Sequence, residues 1–143
     1  MEVTPIGQGK AFAVYAVSRS ASRPSIFEEY VANLPEEGRK KVARAVVFLE
    51  DHGKHPSIEK CRHLGNGVWE LKEGLYRVMF FSPQANVVVL THGFQKNKGP
   101  KTQDQKNTAL KLIDAVEDEF GWSPTGKPIR KPVYEDTPDS EGE

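Results

Sequence analysis

The chain has 143 residues, no net formal charge, 37% hydrophobic and 28% charged side chains. That length supports one modest core and a tail, not two cores, and the composition is ordinary for a globular domain. A single cysteine, Cys61, excludes an internal disulfide. No apolar run approaches the roughly 20 residues of a membrane span. The opening MEVTPIGQGK also lacks the basic-then-apolar pattern of a secretory signal, so the expected location is cytoplasmic.

In chain order, AFAVYAV (11–17) reads as a first strand, because its apolar character is nearly continuous. A loop, SRSASRP, follows. Ser25 and Glu28 have capping-box spacing, which starts a helix there. Ile26, Phe27, Tyr30, Val31 and Leu34 continue it at helical spacing. Pro35 ends that helix and suits the opening of the next. The second helix carries the stripe Val42, Ala45, Val46, Leu49 and stops near Gly53. The segment KHPSIEKCRHLGNG reads as a loop.

VWELKE then alternates, with Trp69 and Leu71 on one side and Val68, Glu70 and Lys72 on the other. After a turn at Gly74 comes LYRVMFFS, where Tyr76, Val78 and Phe80 oppose Arg77, Met79 and Phe81. Residues 83–86 have turn chemistry. VVVLTH is apolar enough for a central strand. A basic loop from Gly93 to Lys101 leads to a last helix near Thr102, where Thr102 and Gln105 again match the capping-box pattern. Ala109, Leu112, Ile113, Val116 and Phe120 form its apolar side.

The expected fold class is α+β. A small antiparallel-dominated sheet, in the order β-α-α-β-β-β-α, packs a helix hairpin on one face and leaves the other partly open. The expected domain is 1–122. Residues 123–143, rich in proline and ending acidic, read as a disordered tail. Without that tail, the remaining chain holds 17 basic and 15 acidic residues.

No P-loop, dinucleotide fingerprint or serine elbow is present. His52 and His55 alone do not make a metal site, and no cofactor is expected. The more informative set is the central hairpin with the loop beyond it. Glu70, Lys72 and Arg77 lie within cross-strand reach. His92 ends the third strand of the meander, and Lys96, Lys98 and Lys101 follow. One carboxylate, one imidazole and several cations suit phosphodiester cleavage by an RNA 2′-hydroxyl. That reaction needs a proton acceptor, for which Glu70 or His92 is the candidate, a proton donor, and cations for the phosphate charge. Arg77 has the fork for two phosphate oxygens, the lysines suit backbone positioning, and Tyr76 or Trp69 suits base stacking. The same residues also make an ordinary cross-strand ion-pair ladder, with Trp69 and Tyr76 as core.

The blocks HLGNGVWELKEGLYRVMFF and VVVLTHGFQKNKGPKT, followed by a helix containing Ala109, resemble the HigB-like, phage-derived branch of the RelE toxin superfamily. The resemblance spans about residues 11–120. It implies a RelE-like sheet with helices on one face. It also implies an mRNA endonuclease, ribosome-dependent or free, neutralised by a helix-turn-helix antitoxin (HigA-like). Arg77 matches the family's Tyr-Arg arginine, and Glu70 matches its strand glutamate. Lys72 stands where the branch usually has arginine, and Lys96 is the first lysine after Gly-Phe. The sequence departs at Asn97, where a second lysine is usual, with Lys98 one position later. It departs again at Gln103, where a proline usually opens the helix. A ParE-like gyrase-binding toxin and an inactive phage relic that binds a partner are the alternatives.

Overall fold

The computed structural model describes residues 1–53 and 60–120. The expected tail and His55 lie outside these residues. Nine elements follow in order: β1 (Glu2–Gln8), β2 (Ala13–Ser18), α1 (Ile26–Ala32), α2 (Glu36–His52), β3 (Cys61–Gly65), β4 (Val68–Glu73), β5 (Tyr76–Gln84), β6 (Val87–Gln95) and α3 (Thr102–Phe120). The strands form one six-stranded sheet in the order β1-β2-β6-β5-β4-β3. Neighbours are antiparallel except β2 and β6, which run parallel. The α+β, antiparallel-dominated expectation holds.

Two strands go beyond the order expected from the sequence. β1 contains Pro5 and Gly7, which argue against a central strand. Here it is an edge strand whose register shifts between those two residues, so proline's missing N–H is tolerated there. β3 had been read as loop. Its signal was Asn66-Gly67 in GNG, a dipeptide that closes tight hairpins because both residues accept positive φ. The observed φ values are 57° and 78°, and β3 pairs with β4 from Cys61↔Leu71 to Gly65↔Val68. Residues 83 and 84 also extend β5 rather than turning.

The helix pair forms as its pattern predicts. Ser25 Oγ accepts from the Glu28 backbone N–H at 3.0 Å, and Glu28 Oε1 accepts from Ser25 N at 2.9 Å, a complete capping box. The α2 stripe Val42, Ala45, Val46 and Leu49 is buried. It meets Val14, Ala16, Leu71, Val78, Phe80, Val88 and Leu90 on the sheet, with Cys61 in the same core.

The opposite face is not open, which corrects the sequence expectation. α3 lays Ala109, Leu112, Ile113 and Val116 on Val17, Val68, Met79, Phe81 and Val89. The sheet is therefore the middle of three layers. This explains the unbroken apolar runs: Val78–Phe81 and Val88–Leu90 are at most 2% exposed, because alternate residues enter different cores. Among the described residues, no helix is long and apolar enough to cross a membrane.

Candidate functional site

Strand period places the candidate residues before any contact is considered. β4 and β5 pair Glu70↔Met79 and Lys72↔Arg77. Met79 belongs to the α3-side core, so Glu70, Lys72 and Arg77 share that face. Tyr76 and Trp69 pack against the helix-pair core instead. The structure thus separates Tyr76 from Arg77 by the thickness of the sheet.

The carboxylate of Glu70 is 1% exposed and lies between two guanidiniums. Its Oε1 accepts from Arg62 Nη2 at 3.0 Å, and its Oε2 lies 3.8 Å from Arg77 Nε. Arg77 is buried, and its Nη1 donates to the carbonyls of Gly74 at 2.5 Å and Tyr76 at 3.0 Å. These carbonyls belong to the β4–β5 turn, so the turn fixes the guanidinium. Arg62 had not been singled out, because β3 was read as loop. Once Asn66-Gly67 is read as a hairpin turn, Arg62 falls opposite Glu70 in the register.

The basic loop is tied to the same end of the sheet. Arg77 pairs with Phe94 and Tyr76 with Gln95, and Lys96 N donates to Leu75 O at 2.7 Å. Lys72, Arg77 and Lys96 therefore converge around the β4–β5 turn. Lys96, Lys98 and Lys101 are exposed. Asn97 has φ 69°, a left-handed conformation that asparagine adopts more readily than lysine. That geometry accounts for the departure at this position.

His92 lies elsewhere in the wall. Between the pairs Val78↔Gly93 and Phe80↔Leu90, Thr91 and His92 oppose the single residue Met79. This bulge sets the imidazole under α3. Nε2 lies 3.0 Å from Gln105 Oε1, and Nδ1 lies 3.3 Å from Thr91 Oγ1. The Thr91 hydroxyl also donates to Met79 O at 3.1 Å. Burial pushes the His92 pKa down, against a smaller opposing effect of the Gln105 hydrogen bond. Gln105 is thus occupied by His92. The capping box expected from Thr102 and Gln105 is replaced by this tie between β6 and α3.

Next to the bulge, Gly93 lets the Tyr30 ring lie directly on the β6 backbone, where any Cβ would collide with it. Tyr30 Oη donates to Phe94 O at 3.1 Å. Burial raises its pKa to about 12.

Residues 29–120 match the family model described as phage-derived protein Gp49-like (DUF891). The chain belongs to that family. The family is associated with RelE-like and toxin–antitoxin-like proteins, which agrees with the coarser part of the sequence resemblance. The match covers α2, the whole β3–β6 meander and α3, so every residue of the candidate site falls inside it. A comparison with curated proteins gives no match. This Gp49-like chain thus belongs to a phage-derived family with toxin-like associations. Its site residues form two groups: a cation-rich cluster around Glu70 and a His92–Gln105–Thr91 network.

Proposed function

We propose that this Gp49-like chain is the toxin of a type II toxin–antitoxin pair and cleaves messenger RNA, with a helix-turn-helix antitoxin as its partner. The observation that carries the reading is the convergence of Lys72, Arg77 and Lys96 at one sheet end. A phosphodiester is the ligand that such a set of neighbouring cations recognises.

In this reading Arg77 stabilises the charge that builds on the phosphate as the 2′-hydroxyl attacks. Lys96, Lys98 and Lys101 hold the flanking backbone. Glu70 faces guanidiniums on both oxygens, and His92 has both nitrogens engaged. Cleavage then rests on stabilising phosphate charge, with solvent water taking the 2′-hydroxyl proton and returning one to the leaving 5′-oxygen.

The enclosure of Glu70 and His92 is also the observation that favours a second reading, a toxin that binds its target without cutting RNA. Induction in a host lacking the antitoxin separates the two. The nuclease reading expects growth arrest and new message 5′ ends, both lost in Arg77→Ala. DNA breaks with an SOS response and intact messages point to a gyrase-binding toxin instead. If wild type and Arg77→Ala both leave growth and message ends unchanged, the nuclease reading fails.

A further inference from the structure

Three cations and one carboxylate share the α3-side face of β3–β5. Arg62 and Arg77 touch Glu70, and Lys72 is the register partner of Arg77. Among the described ion pairs, neither arginine meets another carboxylate. The cluster therefore carries an excess of two positive charges, and Arg77 is buried within it. Buried or half-buried guanidiniums in excess of carboxylates call for an anion.

Arg62 is the open member of the set. Its side chain is 41% exposed, against 8% for Arg77 and 1% for Glu70. Glu70 engages it through one nitrogen only, Nη2. Among the described residues, its buried Nε–H has no hydrogen-bond partner. A purely structural ion pair of arginine with a buried carboxylate gains most from two parallel hydrogen bonds. The single contact leaves most of this guanidinium's five donors unspent.

We propose that Arg62 is a second phosphate-binding residue of this site, and that Glu70 holds Arg62 and Arg77 side by side for one RNA phosphodiester. The inference rests on the nucleic-acid reading above and adds a residue to it. Glu70 becomes a positioning residue: it aims two guanidiniums and does not itself touch RNA. Arg62 reaches the phosphate from β3 while Arg77 reaches it from β5, across the β4 strand that carries Glu70.

The test is binding of a short single-stranded 2′-O-methyl oligoribonucleotide, which has no 2′-hydroxyl to attack and so cannot be cut. Affinity of the full chain is measured across a salt series for wild type, Arg62→Gln and Arg62→Lys. Arg62→Gln is expected to weaken binding roughly five- to tenfold at low salt and to flatten the log–log salt slope by about 0.7, one single-strand phosphate contact. Arg62→Lys restores the slope but not the full affinity, because lysine has no fork. Melting midpoints follow in parallel. A merely structural ion pair would lower the midpoint of Arg62→Gln and leave affinity and slope alone, and that result overturns the inference.

The outcome stays distinct from that of the nuclease reading. An Arg62-dependent slope with no cleavage of ordinary RNA keeps the inference and sinks the nuclease. Cleavage of ordinary RNA with an unchanged slope in Arg62→Gln does the reverse. Absence of RNA binding at low salt removes both.

Discussion

Glu70 illustrates how one side chain changes role between sequence and structure. Period two was enough to place Glu70, Lys72 and Arg77 on one face, and the same rule already set Tyr76 against them. It could not give the Arg62 contact, which needs the β3–β4 register, nor the burial of Glu70, which needs the tertiary fold. Deleting the carboxylate leaves Arg77 buried without its counter-charge, the situation in which loss of one partner is strongly destabilising. Glu70→Ala is therefore expected to lower unfolding stability by about 3 kcal/mol, read from urea denaturation; a loss below about 1 kcal/mol would mean the pair is screened as a surface pair is. His92 makes a second prediction at this scale. Its folded pKa is lowered by burial, so the unfolded chain binds more protons as pH falls below the ordinary imidazole value. The stability held by neutral His92 is then present above about pH 6.5 and is lost as pH falls toward the depressed folded pKa. The melting midpoint should drop on going from pH 7.5 to 5, and His92→Gln should remove part of that slope. The difference between the two curves isolates His92 from the other titrating groups. Parallel curves would show that the imidazole does not pass from charged to neutral on folding.

The elements that sequence patterning recovered are those with strong local signals. α1 has its capping box, α2 its four-residue stripe and β4 its alternation, and each formed where the pattern put it. β1 and β3 were missed for opposite reasons. In β1 the proline and glycine blunt any central-strand signal, but an edge position tolerates both. In β3 the turn signal was present and was absorbed into a loop. The start of α3 shows tertiary structure overriding a local motif: Gln105 had the spacing for a cap, yet its amide meets His92 across the layer boundary. Where the local motif does form, it can be tested. Ser25 is fully buried and makes both capping-box hydrogen bonds. Ser25→Ala removes the side-chain acceptor and is expected to cost about 1 kcal/mol, measured by chemical denaturation. Ser25→Asp keeps an acceptor near the helix start and should recover part of that loss.

At the scale of the molecule, the consequential difference from the sequence reading is the third layer. β2 reads as nearly continuous in apolar character and β6 as apolar enough for a central strand, and a strand apolar on both sides demands cover on both faces. That demand extends to α3, whose own apolar stripe needs a sheet, so the face expected to be partly open is the one α3 covers. The two cores that result share the same strands. Phe80 and Leu90 enter the helix-pair core while Phe81 and Val89 enter the α3 core. The candidate cluster sits on the α3 side of that shared floor, so its geometry depends on both packings. This layout predicts one cooperative unit rather than two. Ile113 is fully buried in the α3 core, and Trp69 packs on the other face, with its ring 6.3 Å from that of Phe80. In a Trp122→Phe background Trp69 is the only indole, so its fluorescence reports the helix-pair core. Ile113→Ala should cost about 2–5 kcal/mol through lost burial and the cavity left behind. It should shift the Trp69 transition by as much as the far-ultraviolet circular dichroism transition, although no atom of Ile113 belongs to the Trp69 cluster. Coincident curves are the mark of two-state unfolding. If circular dichroism moved while the Trp69 midpoint stayed, the layers would be separable. The Arg62–Glu70–Arg77 cluster would then be exposed to local opening of α3 without loss of the helix-pair core.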